Sequence, residues 1–250
     1  LFVDAHNAGV QPDKQNRILK MWLGWIHRKS DITIVTNTGL EDVVKQNRGS
    51  AMILPDPLPQ IDNTFLNKKK LGDQFSICFI CTFHSDEPYE SVFNAMKEVP
   101  SSVSLYVTGK ISSKIDTTRL SSNIRLMGFL PEPEFWSLLY SVDVIMDLTT
   151  RENCLVCGAY EGTALKKPLI LSDTRATRDY FCTGAIYVQP DTRSIIDGIN
   201  RAIEKNSTLK NEILELNVKL QNQYLEMVDA LKGKANNLVV TNYGCEVFYE

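Results

Sequence analysis

The sequence predicts an α/β protein built on doubly wound, Rossmann-like parallel sheets. Three observations lead there. Short apolar runs alternate with helix-spaced amphipathic segments through nearly the whole chain, the pattern of strands buried on both faces and joined by crossover helices. The alternation is broken at Pro55-Asp-Pro-Leu-Pro, because three prolines in five positions continue neither a helix nor an inner strand. Beyond that break the pattern restarts and runs through enough repeats for a complete sheet, whereas the part before it holds too few.

The elements follow in order. Leu1 to Ala5 reads as a short strand ending at Asp4-Ala-His-Asn. Lys14 to Lys29 places Ile18, Met21, Trp22, Trp25 and Ile26 at helical spacing. Strands at Ile32–Val35 and Ala51–Leu54 flank a helix at Gly39–Gln46. After the proline break, strands are expected at Phe75–Thr82, Val103–Thr108, Ile124–Met127, Val142–Met146, Pro168–Leu171 and Ala185–Val188. Helices fit between them at Tyr89–Glu98, Glu132–Tyr140, Cys154–Lys166, Arg175–Phe181 and Thr192–Glu204. A closing helix is expected from Leu209 to Leu231, and the stretch from Asn237 to Glu250 has no clear assignment.

Composition narrows the function. With 250 residues, 43% hydrophobic and 23% charged, the chain has ordinary globular proportions. A net charge of −3 gives no electrostatic footprint for nucleic acid. No apolar stretch approaches the roughly 20 residues that span a bilayer, and no signal-peptide pattern is present, so a cytoplasmic setting is expected. The opening Leu-Phe-Val, on a strand and without Met, reads as a truncated chain.

Cys78-x-x-Cys81 and Cys154-x-x-Cys157 have the spacing of a zinc site. However, Cys78 and Cys81 fall in a strand-like run, where residues three apart leave opposite faces, and no glycine knuckle follows either pair. Free thiols, mostly buried, are expected instead, with no metal and no cofactor. Other motifs are also missing. There is no G-x-G-x-x-G after a strand, no G-x-S-x-G elbow and no H-E-x-x-H, and Gly109-Lys110-Ile111 lacks the other residues of a P-loop.

The informative segment runs from Asp147 to Asp173. It follows a strand, forms a polar loop and opens a helix, and in an open parallel sheet ligands bind beyond the carboxyl ends of the strands. Asn153 is expected to cap this helix, leaving the amides of Cys154, Leu155 and Val156 to face an anion. Gly158, Ala159 and Gly162 leave room for either ligand or sheet to approach. Glu161, seven residues after Cys154 and so expected on the same helix face, is a carboxylate among apolar neighbours and must find donors. The vicinal hydroxyls of a ribose would supply two; an ion pair with Lys110, Lys166 or Arg178 is the structural alternative.

The segment from Arg151 to Asp173 resembles the signature of retaining GT-B glycosyltransferases, family four in particular. In that family Glu161 matches the Glu that holds the nucleotide ribose, and Ala164-Leu-Lys-Lys-Pro-Leu-Ile-Leu-Ser-Asp matches the run that follows. Gly128-Phe-Leu-Pro-Glu-Pro-Glu-Phe-Trp resembles the loop and helix beside the base. Ser30-Asp-Ile-Thr-Ile-Val-Thr-Asn resembles the last strands of the acceptor domain. The resemblance implies a GT-B C-terminal domain plus the remnant of an N-terminal one. Residues 1–56 would be the end of the acceptor domain, 57–74 an interdomain linker, 75–208 the nucleotide-sugar-binding domain, and 209–250 a closing helix and tail. It also implies metal-independent, retaining transfer of a sugar from a nucleotide-diphosphate donor (UDP or GDP) to a saccharide or lipid-linked acceptor, as in polysaccharide biosynthesis. Peripheral membrane contact would fall to the missing region.

By resemblance His6 is the catalytic candidate, Glu152 and Asn153 face the donor sugar, and Phe129 lies beside the base. Lys110 and Thr82 join Glu161 and the amides after Asn153 around the nucleotide. The chain also departs from the pattern. Asn153 stands where the first Glu of the family pair is expected, with Glu152 beside it. Thr82-Phe-His-Ser-Asp-Glu replaces the basic clamp of the donor domain's first loop. A non-catalytic nucleotide-sugar-binding module and a sugar-nucleotide epimerase of the same architecture are the alternatives.

Overall fold

The computed structural model describes residues 1–11, 17–69, 71–72, 74–111 and 115–243. The chain forms two compact units, one of Leu1–Pro57 with the chain from Lys219 onward, the other of Leu58–Val218.

In the first unit β1 (Phe2–Asp4), α1 (Asn7–Val10), α2 (Arg17–Lys29), β2 (Ile32–Val35), α3 (Thr38–Gln46) and β3 (Ala51–Ile53) follow one another. The three strands pair in parallel in the order β1-β2-β3 around a small core of Ala5, Val10, Val35, Leu40 and Val44. Asn37 starts α3 by accepting the Leu40 N–H at 3.1 Å, the usual role of an N-terminal Asn. The expected start of the second helix, at Lys14, lies outside the described residues. Its apolar stripe does not face inward: Ile18, Met21, Trp22 and Trp25 are exposed, while Gly24 and His27 are buried. His27 is therefore a core residue and not the helix-surface residue its sequence context suggests. Gly49 explains how it is enclosed, since a Cβ there would stand 2.6 Å from the His27 carbonyl oxygen. Burial holds the His27 imidazole below its ordinary pKa.

The second unit carries β4 (Phe75–Phe79), α4 (Tyr89–Ala95), β5 (Val103–Thr108), β6 (Ile124–Gly128), α5 (Glu132–Ser141) and β7 (Val144–Asp147). There follow α6 (Cys157–Ala164), β8 (Leu169–Ser172), α7 (Arg175–Tyr180), β9 (Ala185–Val188), α8 (Thr192–Glu204) and, as far as Val218, the long α9 (Asn206–Tyr243). All six strands are parallel, in the order β6-β5-β4-β7-β8-β9, so the sheet is doubly wound as the sequence predicts. Ile77, Phe79, Leu105, Val144, Met146 and Ile170 share one core with residues of α4 and α8. α9 begins earlier than expected and continues beyond Leu231. Its buried Leu209, Ile213 and Leu216 pack close to β9, where a Cβ on Gly184 would meet the Ile213 backbone at 2.8 Å.

α6 lies almost directly on the sheet. A Cβ at Gly162 would stand 2.4 Å from Leu169 Cδ2, and one at Gly158 would stand 2.7 Å from both Asp147 Oδ2 and Ile80 Cδ1. The two glycines thus serve the approach of the sheet. Gly162→Ala is expected to overpack this contact and cost about 1–3 kcal/mol, read as a lower denaturant midpoint with unchanged slope.

Candidate functional site

The strand order places a topological switch point between β4 and β7: β5 and β6 extend the sheet on one side, β8 and β9 on the other. In an open α/β sheet the loops leaving the carboxyl ends of those two strands frame the standard ligand position. Here the loops are residues 80–88 after β4 and 148–156 after β7, with α6 opening from the second.

The β7 loop corrects one expectation. α6 begins at Cys157, and its N-cap is the extended Val156, with no side-chain capping bond. Asn153 does not cap it. The physical reason lies ten residues back, where the Asp147 carboxylate at the end of β7 accepts the Gly158 N–H at 2.8 Å. Ala159 N–H is turned to the Val156 carbonyl at 3.2 Å, so the first turn of the helix is largely satisfied by its own chain. Cys154 consequently precedes the helix, and the residue one turn before Glu161 on its face is Cys157. The amides of Cys154, Leu155 and Val156 sit in the loop, and none of them has an acceptor among the described residues. Three donors therefore remain in the loop just ahead of the helix, in place of a helix terminus.

Glu161 is the most distinctive side chain there. The residue is half-buried, but its Oε2 atom is enclosed and has no hydrogen-bond partner among the described residues. Neither Lys110 nor Lys166 reaches it, and Arg178 is held by Asp173 through two hydrogen bonds. Burial, with no opposing cation, pushes its carboxyl pKa up to about 7. An unpaired buried carboxylate of this kind is unstable without a donor. Asp147, beside it, is also raised well above the ordinary range, first by burial, against the Gly158 bond and with the nearby acids adding to it.

The β4 loop carries interactions that local sequence rules do not reveal. The Glu87 carboxylate accepts the Thr82 N–H at 3.0 Å, the Thr82 hydroxyl at 3.0 Å and the His84 N–H at 2.7 Å. Phe83 between them adopts a left-handed φ of 61°, which turns the flanking amides toward one point. Next to it Asp86 joins the two loops. It accepts the Thr149 hydroxyl at 2.8 Å, pairs with Arg151 Nε at 3.2 Å and bonds His84 Nδ1. Burial opposes ionisation of Asp86, but these partners hold its carboxyl below the ordinary range. Of the residues singled out from sequence, Thr82 thus gives both its donors to Glu87, and Glu152 is exposed on the β7 loop. Lys110 is exposed after β5, and Phe129 is 85% exposed after β6. A 2.9 Å bond from Gly109 N to the Gly128 carbonyl ties those two strand ends together. His6 belongs to the first unit, at the end of β1, exposed and 3.8–3.9 Å from the carboxylates of Asp4 and Asp56.

Cys78 and Cys81 are buried free thiols whose pKa values burial raises. Cys154 is half-buried and pushed up to about 11, mainly by burial. Cys157 and Cys182 are exposed, against the expectation of mostly buried thiols. Among the described residues no helix is long and apolar enough to cross a membrane.

Comparison with family models and with curated proteins finds no match. Solved structures do match. A sucrose-phosphate synthase from Thermosynechococcus elongatus superposes with a TM-score of 0.74 at 16% identity, covering 96% of this chain and 68% of that one. HepE from Anabaena, solved with UDP-glucose, gives a TM-score of 0.70 at 14% identity over 92% and 72%. A trehalose-6-phosphate synthase, studied for glycosyl transfer with retention, gives 0.69 at 12% identity over 88% and 64%. The chain has the same fold as these structures, the two-unit α/β GT-B architecture. At these identities the likeness establishes the architecture.

Proposed function

We propose that this chain is the nucleotide-sugar-binding part of a glycosyltransferase, moving a hexosyl group from a nucleotide-diphosphate donor to a saccharide or lipid-linked acceptor with retention and without a metal. The observation that carries the reading is Glu161, a carboxylate with an enclosed, unpartnered oxygen at the switch point. A ribose presents two adjacent hydroxyl donors, which is what such a carboxylate lacks. The unpaired amides of Cys154, Leu155 and Val156 would take the diphosphate, whose charge grows as the glycosidic bond breaks, with Lys110 as a nearby cation. The exposed Phe129 ring would lie against the base. That HepE was solved with UDP-glucose and a trehalose-6-phosphate synthase was studied for retention supports the donor class and stereochemistry. A cytoplasmic protein acting in polysaccharide assembly, with any membrane contact peripheral, fits this chemistry.

One observation favours a second reading, a binding module without turnover: the loop after β4 offers no Arg or Lys clamp and holds an acid in its amides. Labelled nucleotide sugars separate the readings, giving transfer or slow hydrolysis for a transferase, an epimer for an epimerase, and binding alone for the module. The Glu161 assignment is tested by titrating UDP into the wild type and Glu161→Ala. Loss of two hydrogen bonds to a charged group is expected to weaken binding by about 1–3 kcal/mol, and equal affinities would refute it.

A further inference from the structure

The Glu87 carboxylate has a dense set of donors beside the switch point. Two backbone N–H groups, the Thr82 hydroxyl and, at 3.4 Å, the Cys81 thiol all point at it. The Thr82 and His84 amides, on either side of the left-handed Phe83, are turned to one side, as in the backbone concavities that hold anions. Here the anion is the chain's own. Asp86, fixed by Thr149 and Arg151 of the facing loop, holds the concavity at the switch point and keeps a second negative charge beside it.

We propose that Glu87 is a specificity-determining residue: its carboxylate occupies the amides of the β4 loop, so that a diphosphate is left with the β7-loop amides alone and the nucleoside supplies most of the binding. The inference rests on the nucleotide reading above and sharpens it. A diphosphate entering there must expel Glu87 from its donors or approach it as a like charge. Either route cancels much of what phosphate contacts would otherwise contribute. A ribose reaching Glu161 meets no such competitor.

The test titrates uridine and UDP into the intact chain and into Glu87→Ala by calorimetry. In the wild type the two dissociation constants are expected within about tenfold of each other. In Glu87→Ala UDP should bind about tenfold tighter or more, with uridine unchanged. The unchanged uridine affinity also shows that the variant is folded. Glu87→Gln, which keeps the shape and loses the charge, gives the same readout if the alanine variant does not fold, with a smaller gain. UDP binding more than about a hundredfold tighter than uridine in the wild type, or the same ratio in wild type and variants, overturns the role of Glu87 and leaves the nucleotide reading standing. Absence of binding by both ligands overturns the nucleotide reading, and this inference falls with it.

Discussion

Gly109→Ala is expected to destabilise the chain by about 3 kcal/mol or more, lowering the melting temperature by about 6–12 °C. Two independent effects add at this position. Gly109 has a φ of +93°, a conformation that a Cβ makes costly. Its added Cβ would also stand 1.8 Å from the Cys81 carbonyl oxygen and 2.9 Å from the carbonyl carbon. Both are backbone atoms, so no rotamer change relieves the overlap. The β4 loop would have to move away from the end of β5, taking with it the amides of Thr82 and His84 that follow directly. Thermal unfolding monitored by circular dichroism checks the prediction. A shift below about 2 °C would mean that the loop yields easily and that its amides are not held in place by this contact.

Gly109 also shows where the sequence stops being informative. Its strand is legible: Val103-Ser-Leu-Tyr-Val-Thr is an apolar run bounded by Gly, and β5 spans those residues. The glycine's reason is not legible, because it depends on a carbonyl twenty-eight residues away. The same division recurs across the molecule. Thr192–Glu204 and Ala185–Val188 are read correctly because a helical stripe and a short apolar run are local patterns. The start of α6 is misplaced because Asn153 is a good local cap, whereas the residue bonded into the first turn is Asp147, from the preceding strand. The burial of His27 is not legible locally, because its enclosure comes from Gly49, after α3. Glu161 is found from sequence by asking where a carboxylate on an apolar helix gets its donors, and the fold leaves that question open for a ligand. Glu87 escapes the same reasoning because it takes loop amides whose direction is set by a single left-handed Phe83, and Asp86 because its partners Thr149 and Arg151 come from a loop more than sixty residues away.

Stability and ligand affinity are expected to pull in opposite directions at Glu161, and pH separates them. Its carboxyl is raised to about 7 by burial, from an ordinary 4.5. Between those values the folded chain holds a proton that the unfolded chain has released, so stability falls as pH rises through this window. Below pH 4.5 the penalty is absent, and above about 7 it is complete. At about 1.4 kcal/mol per pH step the ceiling is near 3 kcal/mol, and residual solvent contact brings the expected value to about 1–3 kcal/mol. Glu161→Gln removes the titrating group, so it should be more stable than the wild type by that amount at pH 8 and equal to it near pH 4.5. Asp147 titrates in both proteins and Glu161 adds to its raised pKa, so the difference between their denaturation curves reports Glu161 together with that coupling. UDP affinity should show the reverse order. Ribose hydroxyls donate to the ionised carboxylate, so wild-type binding should strengthen by about tenfold per pH step up to about 7 and then level off. The Gln variant should bind weakly and without that pH dependence. A variant no more stable than the wild type at pH 8 would show that Glu161 already has its donors within the folded chain, which removes the physical reason for a sugar to bind there.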